Sequence, residues 1–210
     1  MKVLLINGSP NERGCTFTAL SEVASALAGE GVDAEIVWIG KGPVRGCIGC
    51  GGCARMGKRR CVFDDDPVNA LIAKAGEADG IVFGSPVHYA SAGGSITSLM
   101  DRMFYAGSAA MRGKPAAAVV SARRAGTTAA IDQLNKYFTI SGMPIVSGQY
   151  WPMVHGSTPE EVKRDAEGLQ IMRTLGRNMA YMIKCFALAR ENGLLPPEPE
   201  KERQRTNFIR

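Results

Sequence analysis

Short apolar runs recur along this chain, and each gives way to a glycine-bearing break. Lys2–Asn7 is one such run, ending at Gly8-Ser9-Pro10. Ala34–Ile39, Asp79–Gly84 and Pro115–Ser121 repeat the pattern, and Pro144–Ser147 starts a fifth. Continuous apolar runs are what strands buried on both faces require. The stretches between them carry apolar residues at helical spacing: Thr16–Ala28, Pro67 to about Gly76, Gly94–Tyr105 and Thr127–Ile140. Asp64–Asp66 places an acidic cap ahead of a first-turn proline, Pro67. Thr158-Pro159-Glu160-Glu161 combines an N-cap, a first-turn proline and a capping glutamate. The helix it opens runs to about Asn192 and stops at Gly193, with Leu169, Met172, Leu175, Met179, Met182, Ile183 and Phe186 as its apolar stripe.

Strand and helix thus alternate five times, with no hairpin signal between strands. That alternation predicts an α/β fold: a flavodoxin-like, doubly wound, five-stranded parallel sheet in the order 2-1-3-4-5, with a long C-terminal helix and an extended tail. One domain over residues 1–193 is expected, carrying a cysteine-rich insertion at about 45–63, with a tail at 194–210. The tail is rich in proline and charge, a composition that suits disorder, while its terminal TNFIR offers an apolar pair for docking on a neighbouring subunit as the other reading. Composition adds little: 210 residues, 45% apolar, and a net charge of +5 that singles out no nucleic-acid partner. No run is long and apolar enough for a membrane span, and MKVLLINGSP is too short in its apolar core for a signal peptide, so a cytoplasmic location is expected.

In a doubly wound sheet, ligands bind beyond the carboxyl ends of the strands. The first such loop, Gly8–Thr16, is neither a dinucleotide fingerprint nor a P-loop. It offers the hydroxyls of Ser9 and Thr16, the amide of Asn11 and the free N–H groups of a helix start. That set suits a phosphate monoester; a plain βα turn is the alternative. The loop after the third strand holds Pro86, Val87, His88 and Tyr89, where a fixed backbone and small neighbours admit a flat ring and Tyr89 can stack on it. The loop after the fourth strand, Ser121–Thr127, brings Arg123 and Arg124, either to offset negative charge or as solvated surface arginines.

The segment Arg45–Phe63 gathers Cys47, Cys50, Cys53 and Cys61 in the spacing C-x2-C-x2-C-x7-C. Four clustered thiols in a chain of this kind point to metal or redox chemistry rather than a disulfide framework. A [4Fe–4S] cluster, structural zinc and four reduced thiols are the three readings; the glycines at 46, 49, 51 and 52 favour the first, because they allow tight turns and N–H···S bonds. Lys58–Arg60 beside Cys61 forms a basic knot that reads either as a solvated loop or as a steering patch for a dinucleotide or an acidic redox protein. Cys185 falls on the apolar side of the last helix and reads as core. His88 and His155 are the two histidines, and no nucleophile–base pair emerges, so the reaction class is redox.

Together, G-S-P-x-x-x-G-x-T at Gly8–Thr16, G-S-P-V-x-Y at Gly84–Tyr89 and the compact cysteine motif resemble the iron–sulfur flavoprotein branch of the NADPH-dependent FMN reductase family. The resemblance runs from about Met1 to Gln149, and Tyr150–Gly156 also looks familial. It implies FMN, with its phosphate in the loop of Ser9, Asn11, Cys15, Thr16 and Phe17. The isoalloxazine edge would lie against Pro86, Val87, His88 and Tyr89, with contacts from Ser121, Arg123, Arg124 and Gly126. Cys15 stands where the family often has Asn or Ser, a change that a backbone contact survives. The seven-residue interval before Cys61 is at the long end for cluster-bearing members.

The expected function is an FMN-dependent oxidoreductase with a [4Fe–4S] cluster, taking electrons from a ferredoxin-like donor or NAD(P)H and passing them to a small acceptor. A cluster-free NAD(P)H-dependent FMN or quinone reductase, a non-enzymatic flavodoxin-like carrier and a metal-sensing module are the alternatives. The long last helix and the tail, with the family's habit of association, imply a homodimer or homotetramer.

Overall fold

The computed structural model describes residues 1–55 and 60–197, with residues 200, 202, 204 and 206 beyond them. Lys58 and Arg59 of the basic knot, and Asn207–Arg210 of the terminal motif, lie outside the described residues.

Five parallel segments build the sheet. β1 (Lys2–Asn7) lies between β2 (Asp33–Trp38) and β3 (Gly80–His88); β5 (Ala116–Ala122) pairs with β3, and β6 (Met153–His155) with β5. β4 (Ser91–Ala92) only folds back on the end of β3. Leaving that hairpin aside, the parallel order is the expected flavodoxin-like 2-1-3-4-5. The helices are α1 (Cys15–Gly29), α2 (Gly52–Arg55), α3 (Val68–Glu77), α4 (Gly94–Met111), α5 (Thr127–Ile140), α6 (Pro159–Val162) and α7 (Ala166–Glu191). Successive strand residues face opposite sides. Leu4 and Ile6, with Ile81, Phe83, Ala118 and Val120, pack under α3, α4 and α5, whereas Val3, Leu5, Val82 and Val119 pack under α1 and α7. Burial on both faces is why these strands read as unbroken apolar runs.

Three expectations need correction. The fifth strand does not run on from Pro144. Ile145 makes one isolated bridge to Ala116, the pairing lapses over 147–151, and the ladder resumes at Met153–His155. Ala116 N–H donates to Pro144 O at 2.9 Å and Val120 N–H to Pro152 O at 3.0 Å, so both pieces occupy the same edge. Secondly, a hairpin exists at the end of β3. Thirdly, the long last helix is two helices. Its start is as expected, with Glu161 N–H donating to Thr158 Oγ1 at 3.2 Å. The chain then turns, and Asp165 caps α7 by accepting from Gly168 N–H at 2.9 Å, while its other oxygen accepts from His155 N–H at 2.7 Å. One carboxylate therefore ends β6 and starts α7.

Candidate functional site

Because β1, β2 and β3 are parallel neighbours, the loops leaving their carboxyl ends share one rim. The first loop is shaped from within. Asn7, fully buried, donates through Nδ2 to Glu12 O at 2.9 Å and accepts from Ser9 N–H at 3.1 Å. Ser9 Oγ in turn accepts from Asn11 N–H at 3.1 Å. Ser9 and Asn11 thus serve first to fold the loop. Trp38, at the end of β2, donates its indole N–H to Ser9 O at 2.7 Å, and Gly8 N–H donates to Gly84 O at 2.9 Å, tying the loop to both neighbouring strands.

This loop delivers an open helix end. Gly14 precedes α1 without a side-chain cap, the first turn has no acidic residue, and Thr18 N–H finds Gly14 O at 3.0 Å. The N–H groups of Cys15, Thr16 and Phe17 precede that bond and have no carbonyl one turn back, which makes the terminus receptive to an anion. Thr16 itself is buried, its hydroxyl 2.8 Å from that of Ser121. It joins the first loop to the end of β5 and turns a backbone N–H, not its hydroxyl, toward the helix end. Cys15 Sγ donates to Gly156 O at 3.6 Å, and burial holds its thiol above the ordinary range, so Cys15 remains a neutral thiol. Arg13 lies over the Phe17 ring at 5.9 Å.

The hairpin at the end of β3 pairs Val87 with Ala92 and His88 with Ser91, leaving Tyr89 and Ala90 as its two turn residues. Both are left-handed, at φ 49° and 59°, the geometry of a type I′ turn that ordinarily takes Asn-Gly. Each costs about 1–2 kcal/mol for a residue with a Cβ. His88 and Tyr89 are exposed, Tyr89 fully so. Pro86 and Val87 are half-buried, and Ser85 Oγ braces the turn by donating to Pro86 O at 2.8 Å and accepting from Gly93 N–H at 2.9 Å. In the third loop, Arg123 and Arg124 are exposed. Gly126, at φ 90°, seats directly against Ala90: a Cβ there would lie 2.6 Å from Ala90 Cα. The three loops therefore touch one another at Gly8–Gly84, Thr16–Ser121 and Gly126–Ala90.

The cysteine segment leaves the same rim and lies along α4. Gly46 sits near Ser98 and Cys53 Sγ donates to Tyr105 O at 3.8 Å. Cys61 Sγ accepts from Arg102 Nε–H at 3.2 Å, and Gly52 N–H donates to Cys50 Sγ at 3.4 Å. Gly49 and Gly51 are left-handed, at φ 64° and 65°. Cys47 and Cys50 are exposed, Cys53 and Cys61 half-buried, and all are free thiols. Among the described residues, no three Cys, His, Asp or Glu side chains converge to hold a metal ion. The donor chemistry nevertheless suits an iron–sulfur group: four thiols, left-handed glycines and N–H groups already directed at two of the sulfurs. Arg60 of the basic knot pairs with Asp64 at 2.5 Å.

Sequence reasoning passed over Asn7, Trp38, Asn69 and Arg102. Arg102 had a visible signal, as the charged residue set among Leu99, Met100 and Met103 on the apolar stripe of α4. Asn7 and Asn69 act through hydrogen bonds to backbone two to eight residues away, and Trp38 through one to Ser9, contacts that no periodic pattern announces.

The family described as NADPH-dependent FMN reductase matches residues 1–158. An iron–sulfur flavoprotein of Methanocaldococcus jannaschii is 35% identical over 200 residues, covering 89% of this chain and 99% of that protein. An iron–sulfur flavoprotein of Archaeoglobus fulgidus is 29% identical over 206 residues, covering 91% and 100%. Among solved structures, RosB with a bound 8-demethyl-8-formylriboflavin-5'-phosphate intermediate superposes with a TM-score of 0.66 at 15% identity, over 100% of this chain and 92% of that one. A flavodoxin from Archaea gives 0.58 at 16% identity, over 88% and 99%, so the likeness of fold extends well beyond the likeness of sequence. The chain belongs to the NADPH-dependent FMN reductase and iron–sulfur flavoprotein family and is an FMN-dependent oxidoreductase.

Proposed function

We propose that the chain joins a [4Fe–4S] cluster on Cys47, Cys50, Cys53 and Cys61 to FMN, and moves electrons between an electron donor and a small acceptor. The observation that carries this reading is the uncapped start of α1, enclosed by three mutually touching loops on the rim from which the cysteine segment departs. The N–H groups of Cys15, Thr16 and Phe17 would hold the FMN phosphate. Pro86–Tyr89 would take the edge of the ring, with Arg123 or Arg124 offsetting negative charge and the strained hairpin fixing the approach. When bound, FMN would supply both one- and two-electron chemistry and a cluster single electrons, which suits either a one-electron donor or a hydride donor serving a small acceptor. The donor is a ferredoxin-like protein or NAD(P)H, and the working form is a homodimer or homotetramer. Among the described residues, no helix is long and apolar enough to cross a membrane.

The test is an absorption spectrum of protein purified without oxygen, with iron and sulfide assays. Flavin bands over a broad iron–sulfur shoulder are expected. Flavin without iron, together with direct hydride transfer from NAD(P)H, would leave the cluster-free reductase. Absence of flavin would overturn the assignment of the loops.

A further inference from the structure

We infer that Arg102 is the positioning residue of the cysteine centre: its Nε–H fixes the Cys61 sulfur, and its charge, set against Asp66, raises the reduction potential of the cluster that this sulfur helps hold. The inference rests on the cluster reading above. Arg102 is 1% exposed and is among the largest fully buried side chains. Its Nη1 donates to Arg45 O at 3.2 Å and pairs with Asp66, and its Nη2 donates to Phe63 O at 3.1 Å. Those contacts suffice to staple the segment onto α4. A further N–H, on Nε, is directed at Cys61 Sγ. A neutral thiol is a weak acceptor, whereas a thiolate makes a charge-assisted bond.

Cys61 is held from a second side. Its N–H donates to Asn69 Oδ1 at 2.7 Å, and Asn69 Nδ2 donates to its carbonyl at 3.1 Å. The backbone is thereby fixed from α3 and the sulfur from α4. Of the four thiols, the one farthest along the sequence is the most firmly placed.

Hydrogen bonds and positive charge beside a ligand sulfur favour the reduced cluster, which carries one more negative charge. Asp66 cancels part of that charge. Arg102→Gln and Asp66→Asn should therefore move the potential in opposite directions. A purely structural pair would not behave this way, because either change would simply loosen the segment. Asp66→Asn also keeps an oxygen for the Val68 N–H, which Asp66 accepts at 3.2 Å.

The experiment uses the full FMN-loaded chain, reconstituted without oxygen, with iron and sulfide measured and the cluster followed by electron paramagnetic resonance during a redox titration. Arg102→Gln should shift the oxidised-to-reduced ratio at fixed potential about tenfold toward oxidised, which is ~59 mV for a one-electron couple. Arg102→Lys should shift it less in the same direction, and Asp66→Asn should shift it toward reduced. Parent-like potentials in all three variants, or shifts of one sign in Arg102→Gln and Asp66→Asn, would overturn the inference. Loss of iron from all three with normal FMN binding would reduce Arg102 to a packing role, which also overturns it. A parent chain that takes up no iron or sulfide would instead remove the cluster reading itself.

Discussion

Gly126→Ala is the sharpest probe of the three-loop arrangement, because two separate penalties meet at one position. Gly126 sits at φ 90°, in the left-handed region, where a Cβ costs about 1–2 kcal/mol. The added methyl would also lie 2.6 Å from Ala90 Cα and 3.0 Å from Ala90 Cβ and Val87 Cγ1. The nearest of these is backbone, so no rotamer change relieves it. The hairpin must move, at an overpacking cost of about 1–3 kcal/mol. A total near 3 kcal/mol lowers the melting temperature of a chain this size by about 6–12 °C. The displaced residues include those assigned to the flavin edge, so FMN affinity should fall as well, by about tenfold for each 1.4 kcal/mol borne by the bound state. Thermal melting of the FMN-free chain measures the first effect, and titration of FMN fluorescence quenching the second. A variant that melts and binds like the parent would refute the close seating of Gly126 on Ala90. One that melts lower yet binds FMN unchanged would separate the hairpin from the flavin site.

Thr16→Val should remove the partner of the buried Ser121 hydroxyl and cost about 1–3 kcal/mol, read as a lower urea midpoint with an unchanged slope. Ala90→Gly should relieve the left-handed turn and raise stability by about 0.5–1 kcal/mol net of chain entropy; a lower melting temperature would contradict the turn geometry. Burial first, and then the hydrogen bond donated to Asp101 at 2.5 Å, hold the Tyr137 hydroxyl above its ordinary value of 10.0. The unfolded chain therefore ionises first, and stability that is complete below pH 10 declines as pH rises past it; Tyr137→Phe should flatten that decline in alkaline denaturation curves.

The sheet and its rim were legible in sequence for a plain physical reason: strands buried on both faces and capped helices leave periodic, local marks. Thr127–Ile140 was read to the residue, and the starts of α1, α3 and α4 to within one. What escaped depended on distant partners. The break at 163–165 arises because Asp165 caps α7 while also holding the His155 N–H, a bond across the end of β6. The hairpin carries Tyr-Ala where turn chemistry calls for Asn-Gly, so its turn is imposed by Ser85, Gly93 and Gly126 rather than announced by its own residues. The same holds for the site. Ser9, Asn11 and the Gly84–Tyr89 loop stood out as motifs, but the inward turn of Thr16 toward Ser121 required the fold. Cys61, set apart by its long interval, is anchored by Asn69 and Arg102, residues that no cysteine motif includes.

The indole of Trp38 gives the molecule a built-in reporter. Trp38 is one of two tryptophans, half-buried, and its N–H ends on the Ser9 carbonyl inside the first loop. Any event that tightens or releases that loop alters the polarity felt by a fluorophore placed where β2 hands the chain on to the cysteine segment. With Trp151 replaced by phenylalanine, the emission of a single native side chain would report on the first loop and on the approach to the cysteine segment at once, without an attached label.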